Sequence, residues 1–415
     1  MAIYGLIGRK LGHSYSVPIH KGLGNDAYKL YELEPEQLEG FMRDPELKAI
    51  NVTIPYKLDV MKYLDHIDPT ALEIGAVNTV VRRGDKLYGY NTDHIGFCRM
   101  LEYGGIEVKG KKTLVLGNGG ASKTAVLCCK RLGASSVTVI SRSGEDNYTN
   151  LDKHADAQII VNCTPVGMFP HSLQAPVDLK MFPKCEGVAD MIYNPLRTAL
   201  MMQADELGIK NVCGLLMLTA QGVAAHEYFF DTKAPEGKAE ELAEMLRRES
   251  ENIVLIGMPG CGKSTIGRRL AELSGREAVE IDALIAEAAG KTIPEIFAQD
   301  GEEEFRRIET EVLMREGAGK GKIIMTGGGA VTRERNYAPL HQNGKIYQIT
   351  RDLDKLATKG RPLSKDRETL IKMYEIRKPM YEAFRDVLIE NEGTLDQAAE
   401  LIWRDFCEDT CYKRP

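Results

Sequence analysis

Along the first hundred residues, short apolar runs alternate with segments of helical periodicity. IYGLIG, AINVTI and AVNTVV have the length and branched-chain content of buried strands, and DVMKYLDHI reads as a helix, so residues 1–100 predict an α/β unit. A second unit of the same class, residues 101–235, opens with KKTLVLGNGGASKTAVLCCKRLGASSVTVISRS, which reads strand, glycine turn, helix, strand. After Pro235 comes a charged helical pattern, GKAEELAEMLRRESE, assigned as a helix at 236–249 that joins the first unit. It leads straight into NIVLIGMPGCGKSTIGRRLAEL, a further strand, glycine loop and helix, so a boundary falls near Ser250 and a third unit spans 251–415 with a parallel sheet. LDQAAELIWRDF closes the chain as one more helix, and no internal repeat is visible.

Composition narrows the classes. A chain of 415 residues is too long for one ordinary domain. With 43% hydrophobic and 27% charged residues it reads as a globular protein. A net charge of -6 without a basic tract gives no footprint for nucleic acid or an anionic membrane, and leaves small acidic or phosphorylated ligands. The N-terminal MAIYGLIGRKLGHS lacks the features of a signal peptide, and nine scattered cysteines suit a reducing compartment, so the expected location is the cytoplasm. Cys407 and Cys411 lack the second ligand pair of a zinc site. Whether copies of the chain associate is left open.

The sharpest chemical signal is GMPGCGKST. Gly257, Gly262, Lys263 and Ser264 fit G-x-x-x-x-G-K-[ST] between a predicted strand and a predicted helix, with Gly260 and Thr265 in the same loop. Glycines let backbone N–H groups converge on phosphate oxygens, Lys263 reaches the outer phosphates, and the Ser264 hydroxyl meets Mg2+. ATP is the implied nucleotide. The run EIDALIAEAAGKTIPEIFAQDGEEEFRRIE, then MTGGGAV, GRPL and IRKPMYEAF, resembles shikimate kinase from Asn252 to about Phe406. By that resemblance Asp282, Arg306, Gly327, Gly328, Gly329 and Arg377 would hold shikimate, and Arg361 would be the lid arginine over the phosphates. Two arginines suit a carboxylate, and Asp282 would orient or deprotonate the attacking hydroxyl. Glu280 stands where the family usually has an aspartate and is expected to serve magnesium through its longer arm.

The second glycine turn, GNGGAS, carries less by itself. Gly117, Asn118, Gly119, Gly120 and Ala121 follow a strand and open a helix, as a dinucleotide pyrophosphate requires, although the spacing departs from G-x-G-x-x-G. The next strand ends in Ser141 and Arg142, where an NAD site would carry an acidic residue. Arginine favours a 2′-phosphate and hence NADP(H), with Glu145 close by.

NVTIPYK sets Lys57 after a short apolar run, and alone it reads as a solvated lysine at a strand end. With GLIGRKLGHSYS, GAVNTVV, GYNTD, NCTPVGMFP, ADMIYNPLRTALMMQA and GLLMLTAQG, it makes residues from Ala2 to Ser250 similar to shikimate dehydrogenase. That resemblance implies a substrate domain followed by a Rossmann-like NADP domain. It makes Lys57 and Asp93 the catalytic pair and Ser14 and Ser16 the ligands of the substrate carboxylate. Thr53, Asn78, Tyr193 and Gln221 become further polar contacts, and Met191 and Gly214 cofactor contacts. Lys10, Val17, Lys21 and His94 depart from the family pattern, which leaves fine substrate preference open. A ketone that receives a hydride needs a proton on its oxygen, and a lysine ammonium held by a carboxylate can deliver it.

The two resemblances connect, because the first family forms shikimate from 3-dehydroshikimate and the second phosphorylates it. The expected whole is a fused enzyme that reduces 3-dehydroshikimate with NADPH and then makes shikimate 3-phosphate with ATP and Mg2+. Two alternatives stay open: quinate and NAD in the first half, or one half reduced to a binding or regulatory module. Each half carries its own motif set and core, so a cut between Arg248 and Asn252 is expected to leave two active pieces.

Overall fold

The computed structural model describes residues 2–12, 14–353, 356 and 367–409. The first sheet contains β1 (Ile3–Gly8), β2 (Tyr28–Glu32), β3 (Leu47–Val52), β4 (His66–Ile67), β5 (Thr79–Arg83) and β6 (Lys86–Tyr90), in the order β2-β1-β3-β5-β6-β4. The strands β1, β2 and β3 run parallel, whereas β5 is antiparallel to both β3 and β6. Helices α1 (Ser16–Gly22), α2 (Leu38–Arg43), α3 (Pro69–Ile74) and α4 (Asp93–Tyr103) belong to this part of the chain. Ile7, Ile50, Val52 and Val80 pack with Met42 and Tyr56 in its core. DVMKYLDHI does not form the expected helix: Asp59–Tyr63 is a 3-10 turn, and His66–Ile67 leave it to pair with Tyr88 and Gly89 at the sheet edge.

The second sheet is wholly parallel, ordered β11-β10-β9-β7-β8. Its strands are β7 (Lys112–Leu116), β8 (Ser136–Ile140), β9 (Ile159–Asn162), β10 (Gly187–Asp190) and β11 (Lys210–Cys213), with α5 (Gly120–Arg131) and α6 (Ala199–Glu206). Strands such as Ile159–Asn162 are buried throughout, as a parallel sheet covered on both faces requires. The chain then returns to the first sheet earlier than the sequence suggests. Helix α7 (Leu215–Phe230), assigned by sequence to 101–235, buries Ala225 and Phe229 against Leu6, Tyr28, Ala49 and Val81, and α8 (Lys238–Ser250) puts Leu242 against Ile19.

The third sheet, ordered β13-β14-β12-β15-β16, is again parallel. It contains β12 (Asn252–Ile256), β13 (Ala278–Glu280), β14 (Ile323–Met325), β15 (Gly344–Thr350) and β16 (Val387–Glu390). Its helices are α9 (Lys263–Ser274), α10 (Ile281–Ala289), α11 (Ile293–Gln299), α12 (Gly301–Gly317), α13 (Tyr337–His341), α14 (Arg367–Phe384) and α15 (Leu395–Glu408).

Only Glu251 separates α8 from β12, and it is 1% exposed. Its Oε1 accepts from Nη1 and Nη2 of Arg197, both at 3.1 Å, and its Oε2 pairs with Arg247. Arg247 also donates to Glu244 at 2.6 Å and lies over the Phe406 ring at 5.3 Å. The Leu196 N–H donates to Asn343 Oδ1 at 3.0 Å, and the Arg197 N–H to the Gln342 carbonyl at 2.9 Å. The halves expected to part cleanly near Ser250 are therefore joined by a buried, charged seam.

Candidate active sites

The NVTIPYK lysine sits beyond β3, and Asp93 opens α4. Lys57 Nζ donates to Asp93 Oδ2 at 2.6 Å, and Asn78 Nδ2 donates to Asp93 Oδ1 at 2.9 Å. Asn78 Oδ1 in turn accepts the Thr92 N–H at 2.7 Å, and Asn91 Oδ1 accepts the Asp93 N–H at 3.0 Å. Each acceptor is thus held by the strand or turn behind it, which fixes the ammonium at one place on the wall of a cavity of about 540 Å³. Ser14, Ser16, Thr53, Tyr193 and Gln221 share that wall.

The cavity is also lined by Ala121 at the start of α5, Met191 after β10 and Gly214 before α7. A Cβ on Gly214 would stand 2.1 Å from the Met191 carbonyl oxygen, so only glycine permits this approach. The adjoining turn fits a dinucleotide. Gly117 has φ 98°, Gly119 and Gly120 lead into α5, and a Cβ on either of those two would meet nothing within 4 Å, leaving the backbone open to an incoming phosphate. Asn118 lies on the same turn. Ser141 and Arg142 follow the neighbouring strand β8, Ser141 with its N–H on the Asp146 carbonyl at 3.2 Å and Arg142 exposed.

Three residues at or behind this wall carry no role from the motifs. Asn51, at the head of NVTIPYK, lines the cavity and accepts from Tyr28 Oη at 2.8 Å. A polar residue within the buried run Ala49–Val52 is the signal that could have found it. His20 Nε2 lies 3.1 Å from the same Asn51 oxygen, and its ring stacks on Tyr28 at 3.9 Å. Burial, with His226 nearby, pushes His20 down to about 3, so it is a neutral support behind the cavity. Tyr15, between the two serines, also belongs to the wall.

In the third unit the phosphate loop has the backbone its glycines predict: Gly257, Gly260 and Gly262 have φ of 144°, 86° and 108°. Lys263 is buried, and its Nζ donates to the Gly257 and Met258 carbonyls at 2.8 and 3.1 Å. Cys261 is fully buried, a small apolar filler rather than an accessible thiol. The loop opens on a cavity of about 460 Å³ lined by Gly260, Gly262, Lys263, Ser264, Thr265, Asp282, Arg306, Gly327, Gly328, Gly329 and Arg377. Arg306 Nη1 donates to Glu309 Oε2 at 2.7 Å, and a Cβ on Gly329 would come within 2.6 Å of that guanidinium. Arg377 Nη1 donates to the Gly328 carbonyl at 3.0 Å. The guanidinium groups of Arg306 and Arg377 and the carboxylate of Asp282 thus line one cavity beside the phosphate loop, with Arg351 and Glu309 also on its wall, a set suited to an acidic polyol next to a nucleotide.

Glu309 is fully buried in this cavity wall, and its Oε1 has no hydrogen-bond partner among the described residues. Burial pushes its carboxyl up, the neighbouring Arg306 opposes this, and Asp282 adds to the rise. Its place three residues after Arg306, on the same helix face, was available in FRRIE. The magnesium role expected of Glu280 does not fit the geometry: its Oε2 faces Arg268 Nη2 at 3.3 Å, and it is not on the cavity wall. Ser264 and Asp282 are on that wall, and a hard cation that keeps waters and phosphate oxygens needs few protein ligands. Arg361 lies outside the described residues.

Residues 6–80 match the shikimate dehydrogenase substrate binding domain and residues 259–406 match shikimate kinase. The shikimate dehydrogenase (NADP(+)) of Clostridium beijerinckii is 38% identical over 261 residues, 57% of this chain and 96% of its own length. That of Symbiobacterium thermophilum is 37% identical over 265 residues, covering 56% and 90%. Among solved structures, a chorismate mutase/shikimate 5-dehydrogenase fusion protein from Clostridium acetobutylicum aligns with TM-score 0.57 and 38% identity, over 59% of this chain and 96% of the other. Shikimate 5-dehydrogenase from Thermus thermophilus, in complex with NADP(H) and shikimate, aligns with TM-score 0.54 and 30% identity over 59% and 99%. The chain belongs to the shikimate dehydrogenase family and carries a shikimate kinase domain behind it, which makes it a bifunctional shikimate-pathway enzyme.

Proposed function

We propose that the first half reduces 3-dehydroshikimate to shikimate with NADPH, and that the kinase domain converts shikimate to shikimate 3-phosphate with ATP. The observation that supports the first step is the Lys57–Asp93 pair on a wall shared with Ala121, Met191 and Gly214. A reduced nicotinamide supplies a hydride to the ketone carbon. Lys57 donates its proton to the carbonyl oxygen as charge builds there and regains one from water, while Asp93 holds the ammonium in place. Ser14 and Ser16 bind the carboxylate, with Thr53, Asn78, Tyr193 and Gln221 around the ring. Gly117, Asn118, Gly119 and Gly120 take the pyrophosphate, and Ser141 and Arg142 the 2′-phosphate.

In the kinase site Arg306 and Arg377 hold the carboxylate of shikimate, and Asp282 takes the proton of the attacking hydroxyl as its oxygen bonds to the outermost phosphorus and ADP departs. Lys263 and the backbone of Gly260 and Gly262 carry the phosphates, and Ser264 would hold magnesium. The substrate domain is best drawn as 2–100 with 215–250, the NADP domain as 101–214 and the kinase as 251–415. No helix among the described residues is long and apolar enough to cross a membrane, and we place the enzyme in the cytoplasm.

Two point variants test the division of labour. Lys57→Ala should lower NADPH-dependent reduction by about 10²–10⁴-fold and leave phosphorylation of added shikimate intact, and Lys263→Ala should do the converse. Near-wild-type reduction by Lys57→Ala would remove that residue from the mechanism.

A further inference from the structure

Tyr15 stands between the two serines assigned to the substrate carboxylate, and its contacts lead out of the dehydrogenase. Its hydroxyl lies 2.9 Å from Ser250 Oγ at the end of α8, and it accepts a hydrogen bond from Lys320 Nζ at 2.7 Å. Lys320 belongs to the kinase domain, in the turn between α12 and β14. The same ammonium sits 4.8 Å from the centroid of the Tyr15 ring, and that ring meets Tyr193, another wall residue, edge-on at 5.8 Å. A charge-assisted bond and a cation over the ring act on one aromatic side chain.

The turn carrying Lys320 is itself fastened to the seam. The Gly321 N–H donates to the Ser250 carbonyl at 2.9 Å, and a Cβ on Gly321, whose φ is 64°, would stand 2.6 Å from the Glu249 carbonyl oxygen. Asn252 Nδ2 donates to the Gly319 carbonyl at 3.0 Å, and Asn252 Oδ1 accepts the Lys322 N–H at 2.8 Å. The backbone on both sides of Lys320 is therefore set by the residues that join the two halves. On the dehydrogenase side, the Ser16 N–H donates to Ser14 Oγ at 3.2 Å, so the segment held through Tyr15 includes both serines.

We propose that the kinase domain completes the dehydrogenase's substrate pocket: Lys320 is a positioning residue that fixes Tyr15, and with it Ser14 and Ser16, to receive a carboxylate-bearing substrate. This rests on the reading of Ser14 and Ser16 as carboxylate ligands. It also gives the fusion a role beyond equal supply of two activities, since a wall residue of one enzyme's pocket is held by a side chain of the other.

Steady-state kinetics of the full-length protein test it, with wild type, Lys320→Ala, Lys320→Arg, Tyr15→Phe and the Lys320→Ala/Tyr15→Phe double variant. Loss of one solvent-accessible charge-assisted bond should raise KM for 3-dehydroshikimate about 3- to 10-fold in Lys320→Ala and in Tyr15→Phe, with kcat within about twofold. The combined effect in the double variant should fall well short of the product of the two single effects, because both changes remove the same hydrogen bond. Lys320→Arg should restore most of the affinity. The KM values for NADPH, and for ATP and shikimate in the kinase reaction, should not move in any variant, which makes the kinase an internal control for folding. An unchanged KM for 3-dehydroshikimate in Lys320→Ala, or additive effects in the double variant, would overturn the proposal. A wild-type protein that did not reduce 3-dehydroshikimate would instead overturn the reading of the pocket beneath it.

Discussion

Substitution of Glu251 by alanine should destabilise both halves of the molecule together. The carboxylate is 1% exposed and is shared between Arg197, in the chain after β10, and Arg247 of α8. Removing one member of a buried ion pair typically costs about 3–5 kcal/mol, because the remaining charge is left without compensation. Here the arginines keep other partners: Arg247 retains Glu244, and Arg197 retains the carbonyls of His341 and Gly344 at 3.1 and 3.4 Å. The cost should therefore lie below that range, at about 2–3 kcal/mol, which for domains of this size lowers the midpoint by about 5–10 °C. Heat inactivation followed through both activities in one sample is the assay. Both curves should move to lower temperature by similar amounts, and Glu251→Gln, which keeps an oxygen for Arg197, should move them less. A shift below about 2 °C, or one confined to a single activity, would refute the view that this seam couples the halves.

Arg142→Ala should weaken NADP(H) binding about 10- to 150-fold and leave NAD(H) nearly unaffected, since only the former carries the 2′-phosphate; equal weakening of both in titrations would end that assignment. His20 provides a pH signature. Its ordinary value is 6.5 and burial lowers it to about 3 in the fold, so below pH 6.5 the unfolded chain takes up a proton that the folded one refuses. Stability must fall as pH drops through that window, by about 2 kcal/mol at pH 5 from this group. His20→Phe, which keeps an aromatic ring beside Tyr28, should lose less stability than wild type between pH 7.5 and pH 5 in urea unfolding of the dehydrogenase half. An identical loss in both proteins would count against a neutral buried His20.

Much of the architecture was legible because both nucleotide-type sheets are parallel and buried on two faces, which turns strands such as TLVLG and NIVLI into unbroken apolar runs followed by glycine turns. Lys57, Lys263 and Arg306, each read from a single motif, do stand on the walls of the two cavities. What stayed hidden depends on contacts between distant segments. Helix α8 reads as a charged helix that joins the first unit, and its charge pattern does not show that Arg247 and Glu244 are buried where the kinase packs on its far side. The return of α7 to the first sheet leaves no mark at residue 214, since a helix that is apolar almost all round fits either neighbour. DVMKYLDHI has helical periodicity, but the free edge of β6 claims its last two residues. Glu280 looked like a magnesium ligand by position alone, and only the fold turns it toward Arg268. Nothing in GAGKGKI distinguishes Lys320 from any other lysine in a glycine-rich turn.

The most direct measurement supplies the intact protein with 3-dehydroshikimate, NADPH, ATP and Mg2+ and follows NADPH absorbance, ADP and the phosphorus NMR spectrum together. The account predicts one NADPH oxidised and one ADP formed for each molecule of shikimate 3-phosphate, with no product when 3-dehydroshikimate or NADPH is omitted. Oxidation of NADPH without ADP formation, ADP formation without a new phosphate ester, or neither reaction, would contradict it.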